Sequence, residues 1–160
     1  MNYLKPFFYG ILAALGALVL ETIFSILTFD DGDTNEKIFA ISILMLFLAA
    51  ATEEILKYVF IRKAYSEMED KTKIIACALI LGLGFSSVEL FSNLFKNNSL
   101  NNLTNIYFWG VLLLHLTTSG FIGFMFLKSD KKSIGFTTIV LIVAIAIHLS
   151  YNAAVLYLFK

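Results

Sequence analysis

Three residue types are nearly missing from this 160-residue chain, which has one proline, one cysteine and two histidines. The single cysteine, Cys77, excludes an intramolecular disulfide, and as a lone thiol in an apolar stretch it reads as core packing. The single proline, Pro6, stands ahead of every long apolar run, so none of them is broken from within. Charge is scarce as well: 15% of residues, twelve basic against twelve acidic, with no net charge. No basic patch exists to hold phosphates, which argues against nucleic acid as a partner. The chain also lacks an internal repeat, a linker or a polar stretch long enough for a soluble domain, so residues 1–160 read as one integral-membrane domain.

Apolar residues are in excess. They make up 59% of the chain, sixteen of them phenylalanine, and the mean hydropathy is +0.82. That is more than a soluble core requires, and it predicts an all-α polytopic membrane helix bundle. Charged and Asn-rich breaks mark about five transmembrane helices, over roughly 7–28, 38–61, 74–95, 107–127 and 134–158. The first run is longer than a signal-peptide core and lacks a small-residue cleavage site, so it reads as a retained helix. Arg62, Lys63, Lys71 and Lys73 fall in the second loop and Lys131 and Lys132 in the fourth, whereas Asp30, Asp31 and Asp33 crowd the first and asparagines the third. The excess of basic residues in alternate loops predicts a cytoplasmic N-terminus and a C-terminus outside.

Within these spans lie groups that are costly at membrane depth. Glu53 and Glu54 are adjacent in the second span, Glu89 is in the third, and both histidines of the chain, His115 and His148, fall in the fourth and fifth. Ionisable side chains so placed usually mark a site. Helical spacing puts Gly82, Ser86, Glu89 and Asn93 on one face, His115, Thr118, Ser119 and Gly123 on another, and Ala144, His148 and Asn152 on a third. Aligning span midpoints sets Glu53, Glu89, His115 and His148 within roughly 7 Å of the bilayer centre. Ser86, Asn93, Thr118 and Ser119 read as hydrogen-bonding glue between helices. Lys57 is expected to pair with Glu53 one turn away or to snorkel toward Arg62. Glu21 has no partner at helical spacing and reads as an outer boundary residue.

The ordered series Glu53-Glu54-x-x-Lys57, Gly82-Leu-Gly84-Phe85-Ser-Ser-Val-Glu89, His115 and His148-x-x-x-Asn152 resembles that of the PrsW-type intramembrane proteases. These are related to the CAAX prenyl endopeptidases and the bacterial Abi proteins. The CAAX-type pattern has Arg after the Glu pair and Phe-x-x-x-His as its second motif. Lys57 and Glu89 depart from it in the PrsW direction, while Leu90 stands where PrsW-like chains tend to have Asn.

The resemblance implies peptide hydrolysis inside the membrane, with Glu53 as the base that activates water and Glu54 orienting it or sharing a proton. His115 and Glu89 would hold or polarise the water, and His148 and Asn152 would donate to the oxyanion. A metal-independent mechanism is the expected one. A zinc site built from Glu53, His115 and His148 is the alternative, since three ligands leave the open position that catalytic zinc prefers. The implied partner is a membrane-embedded protein or peptide, such as a single-pass anti-sigma factor, and the implied location is a bacterial plasma membrane in which the chain is multi-pass. Two other readings stay open on the residues alone. One is a non-catalytic scaffold or chaperone of the same fold, the other a small proton-coupled transporter.

Overall fold

The computed structural model describes residues 3–28, 35–97, 106–128 and 133–158, and every regular element in it is helical. The elements are α1 (Leu4–Thr28), α2 (Asn35–Glu67), a 3₁₀ turn (Lys71–Lys73), α3 (Ile74–Asn97), α4 (Ile106–Lys128) and α5 (Ile134–Leu158). Pro6 sits in the first turn of α1, where its missing N–H has no helical acceptor to lose. Asp70 caps the 3₁₀ turn by accepting from the Thr72 amide at 3.1 Å and the Thr72 hydroxyl at 2.5 Å, and that hydroxyl holds its carboxyl below the usual range. Ser133 accepts from the Phe136 amide at 3.2 Å and caps the start of α5.

Four helices, α1, α3, α4 and α5, are long and apolar enough to cross a membrane. The fifth, α2, has the length, with 33 residues spanning about 50 Å, but it carries Glu53, Glu54 and Lys57 in its interior. It runs past the expected end near residue 61 because Arg62 to Glu67 continue the helix rather than open a loop. The chain is an all-α polytopic membrane bundle, with α2 packed against each of the other four helices. Residues such as Phe8, Val19, Phe91, Leu113 and Ile142 are more than half exposed on its outside, as lipid-facing side chains are.

Contacts between helix ends fix the arrangement. Lys5 of α1 pairs with Glu67 of α2 at 2.8 Å, Tyr65 of α2 packs on Phe126 of α4, and Tyr58 bonds Thr137 of α5 at 2.8 Å. The start of α1, the end of α2, the 3₁₀ turn, the end of α4 and the start of α5 therefore share one end of the bundle. Lys5, Arg62, Lys63, Lys71, Lys73 and Lys128 all belong to these segments. Lys131, Lys132, the Asp cluster of the first loop and the asparagines between 98 and 105 lie outside the described residues.

Close approach of helices rests on glycine. A Cβ added at Gly10 would collide with the Leu81 carbonyl oxygen, and one at Gly84 with the Phe7 carbonyl oxygen, so α1 and α3 meet backbone to backbone. At Gly82 the added atom would lie 2.7 Å from the carbonyl oxygen of His115, which lets α4 bring that histidine up to α3. The apolar core has two parts. One, at the lysine-rich end, includes Tyr58, Ile61, Ile74, Cys77, Leu81, Ile122, Phe126 and Val140; the other joins Ala13, Ala14 and Ala17 to Phe85. Cys77 is core packing, as expected.

Candidate active site

The helical spacing of α2 sends Glu54 and Lys57 inward together, and both are wholly buried. The Lys57 ammonium uses its three protons on Glu54 Oε1 at 2.6 Å, Thr118 Oγ1 at 3.0 Å and His115 Nδ1 at 3.0 Å. An ammonium only donates, so His115 Nδ1 is the acceptor and the ring proton lies on Nε2. That proton is directed at Glu89 Oε2, 2.5 Å away. The Phe85 ring stacks at 4.7 Å on the His115 ring and lies 4.9 Å from the ammonium, closing both off from lipid.

His148 enters from α5 and donates from Nδ1 to Glu54 Oε1 at 2.8 Å, so one carboxylate oxygen receives both a lysine and a histidine. The His115 and His148 rings meet edge to face, with centroids 5.7 Å apart. With Nδ1 committed to Glu54, Nε2 is the atom of His148 left for a substrate. Asn152, one turn further along α5, is half-buried and takes no part in this network.

Glu53 points away from the ion pair. Its Oε2 lies 3.9 Å from His115 Nδ1 and is buried without a hydrogen-bond partner, as is Glu54 Oε2. Glu53, Glu89 and His115 each offer a ligand atom within 4.8 Å of the others, the one such group among the described residues. The Glu53 and Glu89 side chains are 14% and 34% exposed, against none for Glu54, Lys57 and His115. Two carboxylates are thus reachable, in front of a sealed charge network.

A cavity of about 160 Å³ leads to them between α1 and α3, with Glu21, Glu53, Glu89, Ser92 and Asn93 as its polar wall. A larger cavity, about 320 Å³, lies at the lysine-rich end beside Lys5, Glu67, Asp70 and Lys73. Charges there already pair with one another, Lys5 with Glu67 and Lys73 with Asp70, and no histidine is near.

Several expectations change. Lys57 neither pairs with Glu53 nor snorkels; it is buried against Glu54, because Thr118 and His115 of α4 take its other protons. Glu89 stands in the three-ligand group where His148 was expected, since His148 turns its Nδ1 to Glu54. Of the four residues read as glue, Thr118 does bridge helices through Lys57. Ser86 instead bonds the Leu83 carbonyl of its own helix, and Ser119 Oγ is buried without a partner. Glu21 is no boundary residue, because it lines the cavity. The signal for it was the run Ala14, Ala17 and Glu21 on one face of α1.

No curated protein and no solved structure matches the chain. A model of the PrsW family of intramembrane metalloproteases matches residues 2–160, and that span takes in every group of the network just described. The chain therefore belongs to the PrsW family, whose members are peptide hydrolases of the membrane interior.

Proposed function

We propose that the protein hydrolyses a peptide bond of a membrane-embedded substrate at Glu53, Glu89 and His115, with Glu54, Lys57 and His148 holding these groups in register. The observation that carries this reading is the convergence of two accessible carboxylates and an imidazole within 4.8 Å, near the middle of four helices.

Glu53 is the base. Its unpartnered, buried Oε2 is suited to accept a proton from water held between it and Glu89. Glu89 receives the His115 Nε2 proton, so the two position each other and fix the tautomer of the ring. Lys57 keeps His115 Nδ1 occupied from behind, and Glu54 holds His148 by Nδ1. His148 Nε2 and the Asn152 amide, one turn apart, face the oxyanion and leaving group.

The donor set also suits a divalent cation such as zinc, with oxygen and nitrogen ligands and one buried oxygen that lacks a partner. Glu53, Glu89 and His115 would hold it, leaving the second Glu53 oxygen as proton acceptor. When bound, such an ion supplies Lewis-acid polarisation of the scissile carbonyl and a more acidic water. The donor set and the family's description as metalloproteases both favour this over the metal-free mechanism.

The gathering of basic residues at one end of the bundle supports a cytoplasmic N-terminus and a C-terminus outside, across a bacterial plasma membrane. The substrate class is a single-pass protein, of which an anti-sigma factor is one kind. The test uses purified protein in nanodiscs with a panel of single-pass substrates. Glu53→Gln keeps the shape and removes the base, so cleavage should fall by roughly 10²–10⁴ with the thermal midpoint unchanged. Unaltered cleavage by Glu53→Gln would overturn the reading.

A further inference from the structure

The cavity that reaches Glu53 and Glu89 has a third carboxylate that the proposed hydrolysis does not need. Its walls come from α1, α2 and α3 alone; the two histidines meet the reacting carboxylates from the other side, out of α4 and α5. Along α1 the lining runs from Ala14 to Glu21, and along α3 from Phe85 to Asn93. Both helices start at the lysine-rich end, so the cavity extends from mid-bundle toward the opposite end. Its wall is divided. Ala14, Ala17, Leu18, Phe85 and Val88 are apolar, and Glu21, Ser92 and Asn93 are polar and lie toward the far end.

The charge on this wall is one-sided. Glu21, Glu53 and Glu89 line the cavity and no basic residue does. The nearest cation in the network, Lys57, is sealed off with all three protons used. A single divalent ion at Glu53, Glu89 and His115 would answer two carboxylates and leave Glu21 facing the cavity. An apolar wall that ends in a carboxylate fits an aliphatic stem carrying a cationic head, the shape of a lysine or arginine side chain. A cationic side chain in a membrane segment is costly unless it meets an opposite charge. A carboxylate at this place would therefore select for one.

We propose that Glu21 is a specificity-determining residue, which makes the protein prefer substrates with a basic side chain next to the scissile bond on the side away from the lysine-rich end. This rests on the hydrolytic reading above for its place in the reaction, but the binding preference can be measured without turnover.

The experiment uses an apolar single-pass host peptide with Lys, Arg, norleucine or Glu at successive positions beside the cleavage site. Binding is measured on Glu53→Gln protein in nanodiscs and cleavage on the wild type. At one position Lys or Arg should bind about tenfold more tightly than norleucine. Adding Glu21→Gln should bring that ratio close to one, and Glu21→Lys should reverse it in favour of the Glu peptide. A reversal requires a folded protein, so it separates selection from damage. Equal binding of all peptides, or a basic preference that survives Glu21→Gln, would overturn the proposal even where cleavage is normal. A preference that follows residue 21 while nothing is cleaved upholds it and sinks the hydrolytic reading instead. In a zinc titration, a second bound equivalent that Glu21→Gln removes would assign this carboxylate to metal and also overturn the proposal.

Discussion

Lys57 is among the largest fully buried side chains among the described residues, and its charge is tolerable only because every proton has an acceptor. Removing one partner of a buried pair leaves the other charge without compensation, at a cost of about 3–5 kcal/mol. Lys57→Met should lower thermal stability in nanodiscs by that amount, and Lys57→Met with Glu54→Gln should restore much of it. A single variant as stable as wild type would show that the pair is solvated after all. The depth of Glu53, Glu54, Glu89, His115 and His148 made them legible in the sequence, since the cost of such groups in lipid is a property of residue type and position. Which partner each one takes was not. Glu53 and Glu54 lie four and three residues before Lys57 and are nearly equivalent by helical spacing; Thr118, His115 and His148, from two other helices, decide for Glu54. Glu21 was misread for the same reason, because its cavity is made with α2 and α3.

Between helices, the α1–α3 contact depends on two missing side chains. A methyl at Gly10 would fall on the Leu81 carbonyl and the Phe85 amide, neither of which can turn aside, whereas one at Gly16 would meet only the Leu56 side chain, at 3.4 Å. Gly10→Ala should therefore cost about 1–3 kcal/mol by forcing the helices apart. Gly16→Ala should be neutral or slightly stabilising, because alanine favours the helix. Comparing the two thermal midpoints checks the contact, and an equal effect from both would count against it. Helix positions could be read from the apolar runs. Helix ends could not: α2 continues through Arg62 and Lys63 to Glu67, since charged residues at a membrane surface prolong a helix as readily as they end one.

At the scale of the whole molecule, the shared end of basic residues predicts the topology. Reporter fusions should place the N-terminus in the cytoplasm and the C-terminus outside, and finding both on one side would refute five crossings. The fold class was readable from composition because so apolar a chain has few other ways to satisfy its backbone. The partnership of helices that builds the site was not, since glycine contacts and buried ion pairs join residues from distant parts of the chain. The helix that supplies Glu53, Glu54 and Lys57 bears on how the protein is made. Insertion machinery meets segments in order, and a lone segment with three ionisable groups near its centre is rejected, each aspartate, lysine or arginine there costing about 2.5–3.5 kcal/mol. As an isolated guest in an insertion assay α2 should stay out of the bilayer, while Glu54→Leu with Lys57→Leu should let it in. In the intact chain its entry must wait for neighbours that can take up those charges, so biogenesis and assembly of the catalytic groups become a single event. A nascent chain that stalls before α4 and α5 emerge would carry α2 as a quality-control signal.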